Sequence, residues 1–64
     1  MTDLEKIILR AYADCNMSIQ MAGEKLHYHR NTVRYHLYQV QRKTGLNPRR
    51  FWDLVQLMEE VGNA

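Results

Sequence analysis

Apolar positions recur at helical spacing in four stretches of this chain, and no stretch shows the two-residue alternation of a half-buried strand. Leu4, Ile7, Ile8, Ala11 and Tyr12 predict the inward face of a first helix. Thr2 followed by Glu5 fits a capping box at its start, and Asp14-Cys15-Asn16 closes it. Ser18 suits the N-cap of a second helix, with Ile19, Ala22, Gly23 and Leu26 facing inward. After His27, Tyr28 and His29, the positions Val33, Leu37 and Val40 mark a third helix, over about residues 30–44. Gly45 follows as a stop that takes positive φ without a Cβ penalty. Asn47 then predicts a cap, with Pro48 at the first position of a fourth helix lined by Phe51, Leu54, Val55, Met58 and Val61. The expected fold is therefore all-α: a single four-helix domain over residues 1–64.

The second and third stretches carry the functional signal. A short helix, a three-residue turn and a longer helix form the helix-turn-helix layout. Ala22 and Gly23 are small where two steeply crossing backbones must meet, and Leu26, Val33 and Leu37 are expected to fill the wedge. Tyr12 and Tyr28 are expected in the core, and His36 as a partly buried packing residue. The outer side of the third helix then carries His29, Arg30, Asn31, Arg34, Tyr35 and Tyr38. Positions 31, 34, 35 and 38 form one stripe without a carboxylate. Arg can bond guanine O6 and N7 together, Asn can do the same for adenine N6 and N7, and hydroxyls can hold phosphates.

Charge sharpens this picture. The formal net charge is only +2, yet the segment from Lys25 to Arg50 holds seven of the nine basic residues and no acid. Such one-sidedness can steer a polyanion onto one surface. Arg49 and Arg50 stand where a helix dipole disfavours cations, which a phosphate partner would offset. Trp52 and Leu57 widen the apolar arc of the fourth helix, as a contact with something outside the domain would require.

The composition excludes other classes. No apolar run is long enough to cross a membrane, and no secretory signal pattern is present. Cys15 is the lone cysteine, so no internal disulfide forms, and a reducing cytoplasm is expected. His27, His29, His36 and Cys15 match no common zinc spacing, so neither metal nor cofactor is expected. Paired carboxylates in the basic half, Gly-rich phosphate loops and nucleophile–base pairs are absent, so no enzyme is expected.

The stretch SIQMAGEKLHYHRNTVRYHL resembles the C-terminal helix-turn-helix of PucR/CdaR-type regulators, bacterial activators of purine-catabolism, sugar-diacid and related genes. HRNTVRYHL carries most of the likeness, LRAYADCNMS and TGLNP resemble the flanks, and a fainter likeness extends to the DNA-binding end of Fis. The resemblance implies a recognition helix starting near Arg30, with Arg30, Asn31, Thr32 and Arg34 at the DNA. Ser18 and Gln20 on the second helix and Arg42 on the third complete the expected contact set. It also implies that the chain is the C-terminal piece of a longer regulator whose sensory domain lies outside it. Three positions depart from the family pattern: His27 where Gly is frequent in such turns, His36 where Arg is frequent, and Met17 where a loop Gly is frequent. The expected function is sequence-specific binding of double-stranded DNA in transcriptional regulation, with a possible homodimer through the Trp52 side of the fourth helix. The alternatives are a helical protein-interaction module and an architectural DNA binder with little sequence preference.

Overall fold

Local capping chemistry sets three helix starts in the computed structural model, which describes residues 1–62. Residues 63 and 64 of the expected domain lie outside the described residues. Helix α1 spans Asp3–Asp14, and its capping box is complete. The Thr2 hydroxyl accepts from the Glu5 backbone N–H at 3.1 Å, and Glu5 Oε1 accepts from the Thr2 N–H at 2.9 Å. Helix α2 spans Ile19–Leu26, with the Ser18 hydroxyl accepting from the Met21 N–H. Helix α3 spans Arg30–Thr44; His29 caps its start, and Gly45 ends it at φ +77°.

Helix α4, Phe51–Gly62, starts later than the capping signal at Asn47 predicts. Asn47 does cap, but it caps a separate turn. Its Oδ1 accepts from the Arg49 N–H, and its carbonyl accepts from the Arg50 N–H. Pro48 is buried in that turn. Arg49 and Arg50 therefore precede the helix rather than occupying its first turn, and Asp53 is the charge in that turn.

The α1–α2 and α2–α3 junctions are built alike. Each helix closes with a pair of reverse hydrogen bonds of the Schellman pattern: Met17 N–H to Tyr12 O with Asn16 N–H to Ala13 O, and Tyr28 N–H to Gly23 O with His27 N–H to Glu24 O. The pattern demands left-handed residues, and Asn16, Met17 and His27 adopt φ of 59°, 65° and 61°. His27 thus fills the place of the expected Gly, as Asn and His do more readily than most residues.

Helix α1 is the hub. It packs against α2, α3 and α4, whereas α4 packs against α1 alone among the helices. The core is Ile8, Leu9, Ala11, Tyr12, Ala22, Val33, Leu37, Val40, Leu54, Leu57 and Val61. This corrects the expected faces. On α1 the buried arc is turned toward Leu9 and away from Ile7, which is 52% exposed. On α4 Leu57 is fully buried, while Phe51 and Val55 are exposed. A helix that docks on one neighbour buries only a narrow line, here Leu54, Leu57 and Val61. Tyr28 is also corrected: it stands 40% exposed in the turn rather than in the core. Ile19 and Leu26 are half-buried at the core's edge, and His36 is half-buried, edge-on to Tyr35.

Candidate nucleic-acid interface

The presentation of α3 begins at Gly23. A Cβ there would lie 2.6 Å from the Tyr28 carbonyl oxygen and 3.5 Å from the Arg30 nitrogen. Only a residue without a side chain lets the turn fold back so closely on α2. The turn delivers the chain into α3 at His29, whose Nδ1 accepts from the Asn31 N–H at 3.0 Å. The ring is therefore the helix cap, and its other nitrogen is left to meet a partner.

Asn31, Arg34, Tyr35, Tyr38 and Arg42 are all exposed and share one side of α3. Helical rise makes this stripe about 17 Å long. The Arg34 guanidinium donates to Asn31 Oδ1 at 3.2 Å, so the two candidate base-reading side chains are already joined. The bond engages the Asn31 amide oxygen and one edge of the guanidinium. Arg30 is exposed at the first turn, and Thr32 is half-buried on the flank of the stripe. Ser18 and Gln20 sit apart at the start of α2. Ser18 is half-buried with its oxygen engaged as the cap, and Gln20 is exposed.

Not every cation of the basic segment faces this side. Lys43 Nζ lies 2.8 Å from Glu5 Oε2 on α1, and Lys25 lies 3.8 Å from Asp14. Both pairings join one helix to another, the first between α1 and α3 and the second between the consecutive α1 and α2, which charge counting along the chain cannot see. The remaining cations of the segment are all arginines.

The contact set expected from the sequence omits one part of this surface, although the charge pattern already points Arg49 at a phosphate. Arg34, Leu37, Tyr38, Gln41, Asn47 and Arg49 line a cleft of about 290 Å³ beside the stripe. The α3 members follow helical spacing and were legible; Arg49 reaches the cleft only because of the Asn47 turn. The Arg49 guanidinium also lies near enough to the Tyr12 hydroxyl to act on its ionisation. Burial pushes that hydroxyl above its ordinary pKa, and the guanidinium opposes the rise without cancelling it.

The model of the PucR C-terminal helix-turn-helix domain family matches residues 7–59. The chain belongs to this family. The match covers all of α2 and α3 and most of α1 and α4. No curated protein and no solved structure matches the chain. PucR-type membership makes it a DNA-binding domain of transcription regulation, a kind of domain that is typically non-enzymatic. No described helix is long and apolar enough to cross a membrane.

Proposed function

We propose that this PucR-type domain reads double-stranded DNA sequence-specifically, with α3 in the major groove. The observation that carries the reading is the exposed, carboxylate-free stripe of Asn31, Arg34, Tyr35, Tyr38 and Arg42, with its internal Arg34–Asn31 bond. A bonded Arg–Asn pair presents fixed donors, and a fixed donor pattern discriminates bases better than a freely rotating one. His29, Arg30 and Thr32 at the helix start, with Ser18 and Gln20 on α2, hold phosphates on either side. The domain is the C-terminal end of a longer cytoplasmic regulator, and two copies pair through the Trp52 side of α4 on the DNA.

Selection from a random duplex pool, followed by titration, tests the reading. A preferred site should emerge, bound far more tightly than random duplex at equal salt. Arg34→Ala should cost about 1–3 kcal/mol on that site and relax preference at one position. An equal loss on random DNA would make Arg34 a phosphate contact, and equal binding of all duplexes would favour an architectural role. Affinity for a protein partner that ignores salt, with no DNA binding, would favour an interaction module.

A further inference from the structure

The cleft beside the stripe has the makings of an anion seat. Its walls carry two guanidinium groups, from Arg34 on α3 and Arg49 on the α3–α4 turn. Tyr38, Gln41 and Asn47 line the cleft with them, and so does the buried Leu37. No carboxylate lines it. Arg34 is already engaged by Asn31 on the stripe side. Arg49 is exposed at its residue surface, and its guanidinium lies near the hydroxyl of Tyr12, a residue only 2% exposed. A cation with such a core neighbour has a place to dock before any ligand arrives, which lowers the entropy cost of binding.

We infer that this cleft seats one backbone phosphate of the bound duplex, with Arg49 as its cation and Tyr12 as the positioning residue that holds Arg49 there. The inference rests on the DNA-binding reading above. The stripe and the cleft share Arg34 and Tyr38, so a duplex lying along the stripe passes its sugar-phosphate edge over the cleft. The division of labour follows: Arg34, fixed by Asn31, faces the bases, and Arg49 anchors the strand without reading it. The site thereby ties the DNA backbone to α1 through Tyr12, rather than to α3 alone.

The test is titration of the domain and its variants on the selected site and on random duplex, over a range of salt. Each phosphate contact contributes about 0.9 to the log–log salt slope. Arg49→Gln should reduce that slope by about this amount on both duplexes, leaving the ratio between them unchanged. The gap in affinity between 50 and 200 mM salt should then shrink by about 3.5-fold. Gln keeps a hydrogen-bond donor near the Tyr12 hydroxyl, and a matching melting temperature separates lost contact from lost fold. Tyr12→Phe should weaken both duplexes several-fold in the wild-type background and have no further effect on top of Arg49→Gln. An unchanged salt slope in Arg49→Gln would overturn the inference, as would additive effects of the two substitutions. So would inorganic phosphate occupying the cleft while duplex binding ignores Arg49→Gln. If the unsubstituted domain binds no duplex at all, the DNA-binding reading fails first; binding with an insensitive slope removes only the phosphate seat.

Discussion

Lys43 in the last turn of α3 donates to Glu5 in the first turn of α1 at 2.8 Å, and the Glu5 side chain is only 3% exposed. Burial alone would raise the carboxyl pKa. The hydrogen bonds from Lys43 and Thr2, with the lysine's charge, outweigh that and hold it below the usual 4.5. The pair also matches the helix dipoles, with an anion at a helix start and a cation at a helix end.

A stability change with pH follows from this pair. The folded pKa lies below the unfolded one, so the contribution is complete above the ordinary carboxylate range and is lost as pH falls through the folded value. Glu5→Gln should destabilise by about 1.5–3 kcal/mol near neutral pH, toward the lower end because Lys43 is half in water. The gap to wild type should close in acid below the usual 4.5. Thermal melts across that range check it; a gap that ignores pH would show that the charge on Glu5 contributes nothing.

Gly23→Ala sets helix propensity against packing. In an exposed helix the change would stabilise by about 1 kcal/mol. Here the new Cβ meets a backbone carbonyl at 2.6 Å, so the turn itself must move. Overpacking of this kind costs about 1–3 kcal/mol, and the start of α3 shifts with it. Urea unfolding should show lower stability, and duplex binding should weaken beyond what the stability loss explains. A variant as stable as wild type would show that the turn yields freely.

His27 and Met17 share nearly the same left-handed φ, 61° and 65°, yet glycine should act oppositely at the two sites. His27 is exposed, so His27→Gly relieves backbone strain and loses no burial. A gain of about 0.5–1 kcal/mol is expected after the larger entropy of the unfolded chain is subtracted. Met17 packs against the core, so Met17→Gly loses more apolar contact than the strain it relieves. Calorimetry should find one melting temperature raised and the other lowered. Two shifts of the same sign would contradict this account.

The parts of the fold that were legible in the sequence are those decided within a few residues. Thr2 with Glu5, Ser18 and Gly45 each satisfy nearby backbone groups, and α1, α2 and α3 begin or end where they say. The stripe on α3 was legible for the same reason, since helical spacing alone puts Asn31, Arg34, Tyr35 and Tyr38 on one side. What failed depended on neighbours distant in sequence. Ile7 and Leu9 are both apolar, and only the placement of the other helices around α1 decides which is buried. Val55 and Leu57 pose the same choice on α4. Asn47 caps a turn where its sequence signal predicts a helix, because that signal does not distinguish the two. The salt bridges of Lys25 and Lys43, and the approach of Arg49 to Tyr12, exist only once α1 has docked.

The exposed side of α4 leads to the last prediction. Trp52 is 77% exposed and Phe51 57%, their rings edge to face at 4.9 Å. Phe51 and Val55 also border a groove of about 400 Å³ against Ala13 and Met17. Leaving two aromatic rings in water forgoes burial of about 150–250 Å² each, which a partner could recover. A second copy fits this surface, because Arg50 stands just before α4 and Glu60 stands in its last turn. Antiparallel pairing about a two-fold axis would set opposite charges together at both ends, with the aromatic rings between. The area on offer is small for a permanent dimer, so the free domain should be a monomer or a weak dimer, and two copies should pair on a palindromic site. Their recognition helices would then lie about 34–36 Å apart on one face of the duplex. Trp52→Ser should weaken the two-copy complex while leaving the melting temperature and binding to a single half-site nearly intact. Sedimentation of the free domain, with titrations on half-site and full-site duplexes, measures both. A tight dimer that survives Trp52→Ser, or full sites bound no better than half-sites, would rule out pairing through α4.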